Sequence, residues 1–341
     1  MTSVDNQRSP HPLYVFFTGL CMGSADVVPG VSGGTMALIM GVYHQVLAGI
    51  RSFNLDLVRD LFRGQWSSAV QRIPWQFLIP LGLGIATAIL SLAEILSFLM
   101  AHHESLLFAF FFGLVAASVA SLTMREHWSF ARVVAGLAGA MCGYVVVGMV
   151  PVAPGHSPWI LFASGAISIC AMILPGISGS FLLLVLGQYA HCVEAIVQFV
   201  DAVRTFDVNA AWQVLVATIL PFGAGAVLGL MMFARLLGWL LSHHQRMTLA
   251  TLIGLMLGSM RRLWPFKDYL RFGEDRHGDP VPLEWHNVLP SVSDSSTLVA
   301  IGLCLLGFML ICLIDHIYDR RNPVILLLTT GHLQFRDQPT A

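Results

Sequence analysis

Charge is scarce in this sequence. Lys, Arg, Asp and Glu make up 11% of its 341 residues, against roughly 25% in a soluble globular domain, which excludes a surface bathed in water on every side. The formal net charge of -1 leaves no basic surplus, so neither nucleic-acid binding nor anchoring by a basic patch is expected. The six cysteines, Cys21, Cys142, Cys170, Cys192, Cys304 and Cys312, lie in or beside apolar runs with no Cys-x-x-Cys spacing. They are read as packing residues, not as a zinc site or a disulfide framework. His102, His103, His243 and His244 have no acidic or cysteine neighbours at ligand spacing, so they read as interfacial residues and no metal is expected. No P-loop and no Ser-His-Asp pattern appears, and no cofactor follows from the residues. The start of the chain is polar through Pro12, without a short apolar core and small-residue cleavage site; it is expected to be retained.

Apolar residues are abundant: 56% of the chain, with a mean hydropathy of +0.74. They fall into runs over residues 13–50, 76–100, 105–124, 133–153, 159–200, 214–241, 247–260 and 297–314. A membrane-spanning helix needs about 20 residues. The runs 13–50 and 159–200 are too long for one crossing, and each carries Pro-Gly-x-Ser-Gly in its middle. Both read as helical hairpins that enter and leave on the same face. The short run 247–260 extends to 263 if Arg261 and Arg262 snorkel.

The two interrupted runs are copies of one motif. Gly19 through Tyr43, with Pro29-Gly30-Val31-Ser32-Gly33-Gly34-Thr35 at its centre, recurs 146 residues later as Gly165 through Tyr189, with Pro175-Gly176-Ile177-Ser178-Gly179-Ser180. The repeat extends further at a spacing of 141: Pro80-Leu-Gly-Leu-Gly matches Pro221-Phe-Gly-Ala-Gly, and His102-His103 matches His243-His244. The expected fold is an all-α polytopic membrane protein of two inverted-topology repeats, each a re-entrant broken-helix hairpin plus three transmembrane helices. Repeat one is residues 1–158 (hairpin 13–50, helices 76–100, 105–124 and 133–153). Repeat two is residues 159–341 (hairpin 159–200, helices 214–241, 247–263 and 297–317). Arginine placement agrees. With hairpins, the start of the chain, the loop holding Arg51, Arg59, Arg63 and Arg72, and the turn holding Arg125 and Arg132 all face the cytoplasm, as the positive-inside rule asks. A single crossing would put the four-arginine loop outside.

The hairpin tips carry the expected chemistry. Pro-Gly ends the first half-helix, and Ser32 or Ser178 suits the N-cap of the second. Gly30, Gly33, Gly34, Thr35, Gly176, Gly179 and Ser180 would let a ligand approach main-chain N–H groups. Half-helix N-termini carry partial positive charge and suit an anion such as phosphate, and duplicated broken helices are how many transporters build a midplane site. The competing reading is that these small residues only permit close helix packing. Glu94 and Arg235 sit at equivalent positions, each eight residues before a His-His pair, about 12 Å along a helix. Both therefore fall near the midplane and are placed to meet. Arg235 is a candidate for phosphate binding and Glu94 for gating or proton coupling, with a structural ion pair as the alternative. Asp26 has Met172 as its counterpart in the second copy; this unmatched carboxylate suits a protonation switch or a cap on N–H groups at the break.

Ser24-Ala-Asp-Val-Val-Pro-Gly-Val-Ser-Gly-Gly-Thr-Met-Ala37 and Ala171-Met-Ile-Leu-Pro-Gly-Ile-Ser-Gly-Ser-Phe-Leu-Leu183 resemble the two signature stretches of the bacterial polyprenyl-phosphate transporter family. The likeness covers most of the chain. It implies a translocase of the bacterial cytoplasmic (inner) membrane that returns undecaprenyl phosphate from the outer to the inner leaflet, for cell-wall and surface-glycan assembly. One departure is His44-Gln45, where the family is associated with acidic residues. The expected partners are undecaprenyl phosphate or a related polyprenyl phosphate, membrane lipids, and H+ or Na+ as coupling ion. The oligomeric state is left open. A carrier or channel for a small soluble anion would use the same tips. A lipid phosphatase would need a nucleophile with a general base, and none is evident, so no enzymatic activity is expected.

Overall fold

The computed structural model describes residues 11–28, 31–150, 155, 157–274, 280–290, 294–319 and 324. In chain order the elements are α1 (Pro12–Val27), α2 (Gly33–Ile39), α3 (Tyr43–Ser52), α4 (Leu55–Phe62), α5 (Trp66–Arg72), α6 (Trp75–His102), α7 (Glu104–Arg125), α8 (Phe130–Val147), α9 (Pro158–Ile173), α10 (Gly179–Val185), α11 (Tyr189–Arg204), α12 (Val208–Val214), α13 (Leu220–His243), α14 (Gln245–Leu263), β1 (Lys267–Glu274), β2 (Pro280–Asn287) and α15 (Ser295–Asp319). Five stretches are long and apolar enough to cross a membrane: 75–92, 104–125, 130–147, 208–243 and 296–316. That count is of the described residues, and the pair α10 and α11, bent by 104°, adds a sixth only when taken as one broken span and not as a re-entrant turn. The chain is a nearly all-helical, multi-pass membrane protein.

Each hairpin is cut into three helices by residues that stop a helix. Pro12 and Pro158 open α1 and α9, where a missing N–H and a preset φ do no harm. α1 ends at Val27 and α9 at Ile173, and the next helices, α2 and α10, are seven residues each. Gly41 and Gly187, both at φ 68°, end these in the left-handed region that glycine enters without strain. The return arm expected as one helix to residue 200 is therefore two, and α11 turns away from α10.

Glycine also brings the long helices together. A methyl group on Gly19 would run into the Leu81 carbonyl, and one on Gly84 into that of Phe16; α1 and α6 touch backbone to backbone. Gly165 with Phe222, and Gly225 with Phe162, do the same for α9 and α13. Gly139, Gly143, Gly254 and Gly258 join α8 to α14, and Gly113 and Gly307 join α7 to α15. In lipid, where burying apolar side chains gains little, such close approach is what holds helices together. The α6–α7 and α13–α14 turns are also alike. His103 has φ -138°, ψ 39° and His244 φ -131°, ψ 41°, while His102 stacks on Phe98 at 4.4 Å and His243 on Trp239 at 5.1 Å.

Two local expectations need correction. α8 ends at Val147, with Gly148 as its C-cap, not at residue 153. α14 exists but is not apolar enough to be counted as a span. It buries Thr248, Gly254, Gly258 and Ser259 against its neighbours, so it needs no lipid-facing apolar surface around its whole circumference. Between the last two apolar runs the chain pairs strands β1 and β2 antiparallel, with an irregularity between Tyr269 and Phe272. Trp285 of β2 packs on the cluster of Val147, Phe181 and Val185.

Candidate functional site

The two hairpin tips meet inside the bundle. Ser32 is the N-cap of α2 and accepts from the Gly34 N–H at 3.1 Å. Its hydroxyl donates to the Met172 and Leu174 carbonyls of the other hairpin at 3.4 and 3.3 Å. Tyr43, at the start of α3, donates its hydroxyl to the Ile173 carbonyl at 2.9 Å. In the opposite direction the Gly176 N–H donates to Thr35 Oγ1 at 2.7 Å. A helix that stops at residue 173 leaves its last carbonyls without intrahelical donors. Here hydroxyls from the first hairpin supply them.

Shape permits this contact only with small residues. A Cβ on Gly34 would lie 2.7 Å from the Ile173 carbonyl oxygen. Gly176, at φ 88°, sits where a Cβ would come within 2.5 Å of Ser259 Oγ and 3.0 Å of Met256 Cα on α14. Ser32, Thr35 and Ser178 are buried, at 1%, 1% and 6% exposure.

Asp26, near the end of α1, accepts from the Gly33 N–H at 2.7 Å. That is the capping geometry given above as one of its two readings. Together Asp26, Ser32 and Thr35 take the N–H groups of Gly33, Gly34 and Gly176, so the donors expected to face a phosphate are held by protein oxygens in this conformer. The second tip is more open. Ser178 accepts from the Phe181 N–H at 3.4 Å and shares a 2.9 Å hydrogen bond with Ser180. Ser180 and Met172 are exposed and Gly179 is half-buried. Gly30 lies outside the described residues.

The expected meeting of Glu94 and Arg235 does not occur. Both are exposed, and among the described residues no ion pair or hydrogen bond joins them. The helices that bear them pack on different partners, α6 along α1 and α13 along α9, so equivalent positions in the two copies do not meet. At the motif's departure, His44 is exposed, while the Gln45 side-chain oxygen is enclosed without a partner.

Two contributors escaped the sequence reading. Tyr43 had a signal, because it closes the first motif copy and has Tyr189 as its counterpart. Only the fold reveals that its hydroxyl reaches the other hairpin. Ser259 had none, being one small residue on a helix remote in sequence.

Residues 22–281 match the protein family described as undecaprenyl phosphate translocase-like. The chain is similar to a protein of Vibrio cholerae serotype O1 named polyprenyl-phosphate transporter, 40% identical over 280 residues, or 82% of this chain and 86% of that one. It is also similar to a Staphylococcus aureus protein of the same name, 31% identical over 264 residues, or 72% of this chain and 84% of that one. No solved structure matches the chain.

Proposed function

Because the chain belongs to the undecaprenyl phosphate translocase-like family, we propose that it carries undecaprenyl phosphate across the bacterial inner membrane, returning the lipid carrier from the outer to the inner leaflet. Both relatives are named for polyprenyl phosphate. The chemistry asks little of the protein beyond a polar path for the head group, since an isoprenoid tail stays in lipid throughout.

The observation that carries this reading is the junction of the two broken helices, where the Gly176 N–H meets Thr35 at 2.7 Å and the Gly33 N–H meets Asp26 at 2.7 Å. Buried main-chain donors must always have an acceptor. A phosphate oxygen can replace a hydroxyl or carboxylate oxygen at each of them, so the head group enters by exchanging acceptors and opening the tip contact. Ser32, Gly33, Gly34, Thr35, Gly176, Ser178, Gly179 and Ser180 form this path. Ionised Asp26 repels an incoming phosphate, and a proton or a sodium ion at Asp26 removes the repulsion; this is the proposed coupling. Arg235 and Glu94 are charges exposed on long apolar helices, an expensive arrangement in lipid. It supports roles for them in head-group capture and gating.

Inverted repeats are part of the same proposal. Three crossings, α6, α7 and α8, separate the hairpins, an odd number that makes the second enter from the opposite face. The matched glycine contacts support it: α1–α6 corresponds to α9–α13, and α7–α15 to α14–α8. In that arrangement the start of the chain and the four-arginine loop face the cytoplasm.

The test is flipping of a labelled polyprenyl phosphate in proteoliposomes. Wild type is expected to flip it, and a Ser32→Ala/Thr35→Val double variant to flip at least about tenfold more slowly, equal to ~1.4 kcal/mol of barrier. Absence of flipping by folded wild type under every imposed proton or sodium gradient would refute the reading. Transport of phosphate or chloride in that same preparation would then favour a soluble-anion carrier.

A further inference from the structure

A second polar site lies away from the hairpin tips. The α6–α7 turn and the β1–β2 hairpin enclose a cavity of about 430 Å³ lined by His102, His103, Glu104, Lys267, Tyr269 and Ser296, among others. Lys267 is the sole lysine of the chain, beside 17 arginines. Its ammonium lies 3.5 Å from the centre of the Phe108 ring and has neither a hydrogen bond nor an ion pair among the described residues. Behind it Arg262 is held between two rings, 3.9 Å from Trp285 and 4.9 Å from Phe181. Its Nε is shut off from solvent with no hydrogen-bond partner. Glu104 lines the same cavity and accepts from the Tyr269 hydroxyl.

Two cations thus stand against one carboxylate. They are close enough for the charge of Arg262 to disfavour the charged form of Lys267, and Lys267 is half-buried. Aromatic faces repay a cation by only about 0.5–2 kcal/mol each, and an enclosed donor left unmade is costly. What the arrangement lacks is an anion with several acceptor oxygens. A guanidinium fork beside an ammonium is the pair that recognises phosphate.

We propose that this rim cavity binds a phosphate group on Lys267, with Arg262 behind the lining adding positive charge, the ligand being either the head of an isoprenyl phosphate or free inorganic phosphate. The cavity opens at the end of α7 that bears Glu104, whereas Arg125 marks the other end, and Arg246 lies near that end beside Glu126. By the positive-inside rule the cavity faces outward, toward the leaflet from which the lipid is collected. Its place as an entry station rests on the translocase reading; phosphate binding itself rests on the two cations.

Being the one side-chain amine in the protein, Lys267 reports on the site directly. Burial pushes it down to about 7, so much of it is a nucleophilic amine near neutral pH. The full chain in nanodiscs is treated with an amine-acylating reagent, and modification of Lys267 is followed by mass spectrometry. Farnesyl phosphate at ten times its Kd is expected to slow acylation about tenfold, farnesol to have no effect, and Arg262→Gln to remove the protection. Protection by farnesyl phosphate far below the concentration needed of inorganic phosphate assigns a lipid head group. Equal potency assigns free phosphate, and either result upholds the site. Protection by farnesol equal to that by farnesyl phosphate, or none by either phosphate compound, overturns it. Flipping measured on the same preparation separates the two ideas: intact flipping without protection removes this site alone, and protection without flipping removes the translocase reading alone.

Discussion

Single residues decide how the tip junction holds and what opens it. Asp26→Asn keeps an acceptor for the Gly33 N–H and removes the charge, so it is expected to fold normally and to flip lipid at a rate independent of an imposed proton or sodium gradient. Retention of wild-type gradient dependence in proteoliposomes would exclude Asp26 as the coupling group. Tyr43→Phe leaves the buried Ile173 carbonyl without its donor, for an expected loss of about 1–3 kcal/mol, read as a lower thermal midpoint in detergent. Lys267 sets a pH dependence. Its folded value, about 7, is depressed first by burial and then by Arg262, with Glu104 acting in the opposite direction; Tyr269 shares the same cavity. The unfolded chain titrates near 10.4. Between those values the unfolded state binds more protons, so stability rises with pH from about 7 toward about 10. Lys267→Met is expected to flatten that rise, as thermal unfolding at pH 7 and 9.5 would measure.

At the scale of elements, contact and no-contact glycines alternate along the same helices. Gly84 and Gly225 meet main chain across their crossings, whereas Gly82 and Gly223 have nothing within 4 Å. Gly84→Val and Gly225→Val are expected to destabilise by several kcal/mol or prevent assembly, since main chain cannot yield as a flexible side chain can. Gly82→Val and Gly223→Val should stay within about 0.5 kcal/mol of wild type. Monodispersity and thermal midpoint of the four variants would check this, and equal damage from both pairs would refute the crossing geometry. The helix breaks and their serine caps were legible because Pro-Gly and Ser act locally, through φ, a missing N–H and a hydroxyl one turn away. The β1–β2 hairpin was not, because residues 267–287 mix charge with apolar residues and owe their pairing to contacts such as Trp285 on Phe181. The bend at Gly187 lay inside an apolar run, where hydropathy alone cannot tell one straight arm from two.

For the whole molecule, the proposed inversion predicts opposite faces for two positions, exposed Gln65 and cavity-lining Lys267. In intact cells an impermeant amine reagent should reach Lys267. A Gln65→Cys substitution between α4 and α5, made in a variant lacking the six native cysteines, should be labelled only after permeabilisation. Both on one face would refute the inverted arrangement. The same geometry accounts for the failed pairing of Glu94 with Arg235. Glu94 and Arg235 hold equivalent positions in the two copies, but the helices that bear them pack on different partners, α6 on α1 and α13 on α9.

Properties of one stretch of chain were decided by sequence alone: membrane residence from hydropathy, the broken helices from Pro-Gly, their caps from Ser32 and Ser178, and the family from two long motifs. These depend on residues within a turn or two of each other. What only tertiary structure decided were relations between stretches far apart: that Thr35 takes the Gly176 N–H, that Tyr43 reaches Ile173, that Arg235 stands free of Glu94, and that Arg262 lies between Phe181 and Trp285. Such contacts arise where glycine lets distant backbones close to contact distance, and no local pattern carries that distance.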